Sequence, residues 1–245
     1  MGNELRFGDN IIEPDIRMLS DMKEVIYDRE WLKGAQDVEL YYMYRGLALN
    51  DRDREILRRE HLRYDITVIP PYNLGNEFVK TAGHYHPKVS GTDLSYTEIY
   101  EVLEGRAHYL LQRLEKGGIR DVVLVRAEKG DKVVIPPDYG HITINPSERE
   151  LRMANFVSDR FSSVYEPIRE KGGGAYFELI DGSFIRNKNY EELPDLRFLK
   201  ARDLKEFGIE KSREMYSLIE TPERLRFLDK PQDFTDLFEF VLDYE

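Results

Sequence analysis

Cysteine is absent from the 245 residues, which excludes disulfides, thiolate nucleophiles and any Cys-ligated zinc or iron–sulfur site. Long apolar runs are missing too: none approaches the roughly 20 residues a bilayer-spanning helix needs. The opening MGNELRFGDN is charged and lacks the apolar stretch of a secretory signal. It begins Met-Gly, yet Arg6 stands where a myristoylation signal wants Ser or Thr. Together these absences predict a cytoplasmic protein without membrane attachment. Positive charge is in short supply, with 36 Lys and Arg against 47 Asp and Glu and a formal net charge of -11. A surface this acidic repels phosphate backbones, which argues against general nucleic-acid binding. A local basic pocket for one small phosphate stays open.

What is present suits a folded core. Apolar residues make up 41% and aromatics 12%, with 16 Tyr and 12 Phe. Acids and bases intermix in stretches such as Asp51-Arg52-Asp53-Arg54-Glu55, a pattern read as a solvated face. Residues 1–59 open with a mixed segment, with Ser20 expected to cap a short helix through Met22–Val25 and an aromatic strand over 39–45. Residues 60–180 are the most strand-like. Short runs rich in Val, Ile, Tyr and Phe fall at 64–69, 77–81, 97–103, 107–114, 122–126, 132–135, 142–145 and 151–156, separated by Gly, Pro and Asn. Asp181-Gly182 signals a hairpin between 176–180 and 184–186. Helical composition follows at 203–207, 214–219, 222–228 and 236–244, with Thr221 as the expected cap before Pro222. The anatomy predicted is one structural unit: an N-terminal extension over 1–59, a β barrel over 60–180, and a C-terminal hairpin and helical extension over 181–245.

His84-Tyr85-His86 carries the first chemical information. Side chains alternate faces along a strand, so the two imidazoles point the same way, about 7 Å apart. Such a pair can share one metal ion, although a bare His-x-His is weak evidence alone. Two further blocks accompany it. Glu98 lies in Thr97-Glu98-Ile99-Tyr100, with Gly105 following after six residues, and Gly130, Pro136, His141 and Asn145 recur at fixed spacing. The two blocks resemble the paired signatures of the cupin superfamily, an all-β double-stranded β-helix or jelly-roll barrel whose interior holds a ligand cavity. The resemblance implies a metal held by His84, His86, Glu98 and His141. Two departures stand out: eleven residues between His86 and Glu98, more than the general pattern has, and Asp138 where Gly is usual. A longer hairpin loop over 87–96 accommodates the first. Three imidazoles and one carboxylate suit Fe, Mn, Ni, Zn or Co, with iron the first expectation and one divalent ion per subunit. His61 and His108 fall outside the pattern and are read as surface or strand residues.

The stretch Thr81-Ala82-Gly83-His84-Tyr85-His86, with Glu98-Ile99-Tyr100, Pro136-Pro137 and His141-Ile142-Thr143-Ile144-Asn145, resembles the archaeal cupin-type glucose-6-phosphate isomerases. The similarity runs from Ile11-Ile12 and Arg17-Met18-Leu19-Ser20-Asp21-Met22 to Glu170-Lys171-Gly172, covering roughly residues 10–180. It implies a cytoplasmic homodimer that interconverts glucose 6-phosphate and fructose 6-phosphate. By the same resemblance Glu98 is the base of an enediol route, although a metal-assisted hydride shift stays open. Tyr100, on the same strand face as Glu98, is the second candidate for proton handling. Tyr139, beside His141, is expected to pack. Thr67, Thr81 and the backbone of Gly83 are implied as phosphate contacts. Ser163 stands where some members carry a phosphate-contacting His, and Val157 where some carry Tyr; Arg160 or Lys80 is expected to add charge. The alternatives are another metal cupin enzyme, either a dioxygenase or an isomerase of a different sugar, and a non-catalytic sugar-binding cupin.

Overall fold

A computed structural model describes residues 3–243. Met1, Gly2 and the last residue of the helix expected over 236–244 lie outside them. Ten strands build two facing sheets: β1 (Asp15–Met18), β2 (Glu39–Tyr44), β3 (Leu62–Ile69), β4 (Glu98–Glu104), β5 (Arg106–Glu115), β6 (Gly118–Glu128), β7 (Lys132–Ile135), β8 (Tyr139–Ile144), β9 (Leu151–Ser158) and β10 (Leu196–Lys200). The six-stranded sheet has the order β7-β4-β9-β3-β2-β1 and the four-stranded sheet the order β8-β5-β6-β10. From β4 to β9 the chain passes repeatedly between sheets, so Glu98 and His141, distant in sequence, lie on facing walls. This is the all-β cupin barrel. Gly105 turns β4 into β5 at φ +82, and a Cβ there would sit 2.4 Å from the Glu150 carbonyl oxygen. Only glycine fits that corner.

The sheet register sets what faces the cavity. Along β3, Arg63, Asp65 and Thr67 share a face; Val157, Asn155 and Met153 of β9 sit opposite them. Glu98 and Tyr100 of β4 pair with Val157 and Asn155 in turn. The intervening residues Tyr64, Phe156, Ile99 and Glu101 point outward, yet all are buried. The C-terminal segment covers them. Thr97 Oγ1 donates to the Phe227 carbonyl at 2.8 Å, Met215 N–H donates to Glu101 Oε2 at 2.8 Å, and the rings of Tyr64 and Tyr216 lie 4.8 Å apart.

Several local expectations are corrected. Most of the C-terminal turns are 3-10 rather than α, at Lys205–Phe207, Met215–Glu220, Pro222–Leu228 and Pro231–Asp233; only Thr235–Phe238 is α. Each is too short to propagate an α-helix, and prolines open two of them, so packing dictates the backbone. Thr221 precedes Pro222 but makes no cap; its hydroxyl is buried without a partner. Ser20 lies inside the helix Leu19–Met22, whose start is instead held by Met18 N–H donating to Asp21 at 2.9 Å. β10 was not expected; it adds to β6 in parallel, a pairing that requires a distant partner. The charged stretch after Asn50 is a helix, Asp51–Glu60, capped by Asn50 accepting from Asp53 N–H at 2.9 Å. It is not wholly solvated: Asp53 is buried and accepts from the Tyr216 hydroxyl at 2.9 Å.

Candidate metal centre

His84 and His141 face each other through a short antiparallel bridge, with N–H to carbonyl distances of 3.2 and 3.0 Å. Gly83 approaches at φ +76, where a Cβ would lie 2.5 Å from Ile142 Cγ1. Tyr85, between the two histidines, turns the other way, covers Gly140 and accepts a hydrogen bond from Gln112 at 2.7 Å. His84 and His86 therefore converge on the cavity, their ring centroids 5.3 Å apart; His84 and His141 are 4.3 Å apart. One ligand atom from each of His84, His86, Glu98 and His141 lies within 4.8 Å of the others.

The donor set fits a cation. Nε2 of His86 and Nε2 of His141 each stand 3.2 Å from Glu98 Oε2. His86 Nε2 and Glu98 Oε2 are buried and make no hydrogen bond. Buried polar atoms left unpaired are costly, and a bound cation would satisfy both at once. His86 Nδ1 lies 3.0 Å from the Tyr96 carbonyl, which can only accept; the proton therefore sits on Nδ1 and the Nε2 lone pair faces the site. Burial, with His141 and His86 adding to it, pushes the His84 imidazole well below its ordinary range; burial also lowers His141, against the pull of Glu98. Both are thus neutral donors. Burial works to raise the Glu98 carboxyl, but His141 and His86 hold it well below the usual carboxylate range. Neutral imidazoles with an ionised carboxylate are the protonation states that metal ligation requires.

His84, His86 and Glu98 line a cavity of about 280 Å³, with His141 directly behind them, its Nε2 3.2 Å from Glu98. Thr67, Thr81, Gly83, Ser163, Val157 and Tyr100 line the same cavity. The Tyr100 hydroxyl reaches His141 Nε2 at 3.1 Å, and burial with the nearby Glu98 pushes its ionisation well above the ordinary value. Tyr139 is elsewhere, donating to Asp121 at 2.7 Å. His61 pairs with Asp159 at 3.3 Å and His108 with Glu178 at 2.8 Å, both away from the centre. The two cations expected beside the phosphate are not there. Lys80 is buried on Glu77 and over the Phe177 ring; Arg160 pairs with Asp229 at 3.0 Å. Lys80 neighbours Thr81 in the chain, so its side chain leaves on the other face.

Sequence reasoning missed Arg45, Arg63, Asp65, Asn155 and Phe161, all on the cavity wall. The signal for two of them was available: Arg63 and Asp65 share parity with Thr67 on one strand. It was hidden because both faces of β3 are covered, leaving no clean apolar–polar alternation to set the inward face.

The two departures from the cupin pattern meet in space. The insert folds as a hairpin, with Val89 N–H donating to the Leu94 carbonyl at 2.8 Å and Tyr96 N–H to the Pro87 carbonyl at 3.1 Å. Asp138 adopts φ +69, the left-handed conformation that explains why Gly is usual there. Its carboxylate accepts from Lys88 at 2.6 Å and Ser95 N–H at 3.2 Å, while its own N–H donates to Ser95 Oγ at 2.7 Å. The Asp side chain thus anchors the insert whose Tyr96 carbonyl orients His86.

Comparisons with known proteins find similar chains. The family model described as Glucose-6-phosphate isomerase (GPI) matches residues 16–195. The glucose-6-phosphate isomerase of Thermococcus litoralis is 33% identical over 177 residues, covering 70% of this chain and 85% of that protein. That of Pyrococcus furiosus is 29% identical over 174 residues, with the same coverage of 70% and 85%. Among solved structures, an oxalate oxidase is 20% identical and overlaps 44% of this chain and 47% of its own at a TM-score of 0.35, an overlap too partial to bear on function.

Proposed function

The chain belongs to the glucose-6-phosphate isomerase family, and on that premise we propose that it interconverts glucose 6-phosphate and fructose 6-phosphate in the cavity beside His84, His86, Glu98 and His141. The observation that carries the reading is the convergence of unpaired buried ligand atoms with the hydroxyls of Thr67, Thr81 and Ser163 in one cavity. Under this reading the chain acts as a cytoplasmic homodimer with one divalent ion per subunit, iron first among Fe, Mn, Ni, Zn and Co. When bound, the ion polarises the sugar's oxygens and lowers the barrier to moving hydrogen between neighbouring carbons by several kcal/mol.

The residues divide the remaining work. Glu98 takes the proton from the carbon beside the carbonyl and returns it to the neighbouring carbon in the enediol route. Tyr100 carries or orients the proton of a sugar hydroxyl; its own hydroxyl lies 3.1 Å from His141 Nε2, beside the candidate ligands. Thr67, Thr81, Gly83 N–H and Ser163 donate to the phosphate end. His86, locked by the Tyr96 carbonyl, and His84 and His141 hold the ion in place.

The test is a coupled assay of fructose 6-phosphate turnover on chelated protein reloaded with Mn²⁺, Fe²⁺ or Ni²⁺. Chelation should abolish turnover and at least one of these ions restore it. Oxygen uptake with a phenolic or dicarboxylic substrate, and no turnover of any hexose phosphate, would sink the isomerase reading in favour of an oxygenase.

A further inference from the structure

A phosphate dianion leaving water for a cavity needs positive charge as well as hydrogen bonds. Thr67, Thr81, Gly83 and Ser163 are neutral. Lys80 and Arg160 are committed elsewhere, to Glu77 and Asp229. The cations that do line the cavity are Arg45 and Arg63. Both are gathered around one buried carboxylate. Asp65, 4% exposed, accepts from Gly46 N–H at 2.9 Å, which fixes the backbone just beyond Arg45. It also holds Arg63 through Nε, at 3.0 and 2.8 Å. Arg45 is held through its own Nε on Asp15 at 2.9 Å.

Holding a guanidinium through Nε leaves its paired terminal nitrogens for another acceptor, and their fork matches two phosphate oxygens. Among the described residues, the Arg63 guanidinium makes no hydrogen bond besides those to Asp65. Of Arg45's terminal nitrogens, Nη2 has only the sulfur of Met43, at 3.2 Å. Both side chains keep partial solvent access, 39% for Arg45 and 33% for Arg63, as groups at a cavity mouth do. The register puts Asp65 between Arg63 and Thr67 on one strand face, so Arg63 and the Thr67 hydroxyl belong to one wall, while Thr81 pairs with Thr143 of β8 on the facing sheet.

We propose that Arg45 and Arg63, organised by the buried carboxylate of Asp65, supply the positive charge that grips the phosphate group of the sugar phosphate. The assignment rests on the isomerase reading above. It also accounts for Ser163 in place of a histidine: the charge comes from the opposite wall.

Arg45→Gln and Arg63→Gln, each metal-loaded, test it through metal content, kcat and KM for fructose 6-phosphate, and inhibition by inorganic phosphate. Each variant should keep full metal and a kcat within a few-fold of the parent. KM and the phosphate inhibition constant should rise about tenfold or more. Arg63→Lys should fall between, because it keeps charge and loses the fork. Unchanged KM and phosphate inhibition would overturn the proposal, as would a fall in kcat at constant KM, which would put Arg63 at the reacting carbons. Where Arg63→Gln leaves Asp65 unpaired and the fold fails, Arg63→Gln with Asp65→Asn carries the same measurement without a stranded charge. Failure of the isomerase reading looks different: the unaltered, metal-loaded protein then turns over no hexose phosphate. In that event inorganic phosphate alone decides, by raising the melting temperature of the parent but not of the glutamine variants, or by stabilising all alike and overturning the proposal.

Discussion

Glu98 carries two demands that oppose each other. Its Oε2 is aimed at the nitrogens of His86 and His141, the posture of a ligand. A carboxylate that lends electrons to a cation is a weaker base than a free one, so ligation and proton abstraction compete in one side chain. The neighbouring residues separate these roles experimentally. His141→Ala removes an imidazole that the other three donors surround, and metal and turnover should be lost together; elemental analysis after dialysis checks this, and full metal content would mean the ligand set is wrong. Tyr100→Phe removes only a hydroxyl. It should retain metal while kcat drops about 10²-fold or more, the usual contribution of a positioned proton-transfer group. An unchanged kcat would leave Tyr100 as a packing residue. At this scale the sequence was most informative for the four candidate ligands, because three histidines and one glutamate set in two recognisable blocks leave few alternatives. It was least informative for Arg45, Arg63 and Asp65, whose ordinary identities say nothing until the register aligns them.

Among the elements, the hairpin between His86 and Glu98 shows how a departure from pattern is absorbed. Asp138 anchors it and Tyr96 passes that placement to His86 through one hydrogen bond. Asp138→Gly is the informative substitution, since glycine relieves the φ of +69 while removing the carboxylate. Metal affinity should weaken by about 10- to 100-fold, the scale seen when an outer partner of a ligand is lost. Calorimetric metal titration measures it, and an affinity equal to the parent's would show that the hairpin holds its place without Asp138. The unexpected strand β10 offers a second test. Asp121 on β6 takes Arg197 of β10 at 3.0 and 2.8 Å and the Tyr139 hydroxyl at 2.7 Å. Burial raises its carboxyl, but Arg197 and Tyr139 outweigh this and set it below the ordinary 3.8. A depressed carboxylate contributes stability above its unfolded value and loses it as pH falls through the folded one. Asp121→Asn should therefore cost about 1 kcal/mol at neutral pH, no more because the pair is partly exposed. The difference should shrink once pH drops below about 3.8. Denaturant unfolding at neutral and acid pH reads both, and a gap that widens in acid would reverse the assignment.

For the whole molecule, the C-terminal segment is where the fold exceeds the family. The matched region ends at residue 195, and the turns beyond it cover the outer face of the six-stranded sheet. Phe227 is fully buried there, 4.8 Å from the Phe207 ring. Phe227→Ala should cost about 3–5 kcal/mol, the usual loss for a large aromatic in a packed core. Urea unfolding checks it, and a loss well under 1 kcal/mol would mean the segment lies on the sheet without being packed. Most barrel strands were legible along the chain from short β-branched and aromatic runs broken by Gly, Pro and Asn. So was the grouping of His84, His86, Glu98 and His141, because alternation along a strand and spacing between motifs are local properties that a chain carries unfolded. The 3-10 turns, the parallel strand β10, the anchored hairpin and the arginine pair were decided only by tertiary structure. The first three depend on a partner far away in sequence: Glu101 for Met215, β6 for β10, Asp138 for the insert; Arg63 meets Asp65 only two residues on, but it is the register with β9 that fixes which face of β3 looks inward. A residue's neighbours across a sheet are set by folding, and it is those neighbours that turn a set of ligands into a cavity with a charged wall.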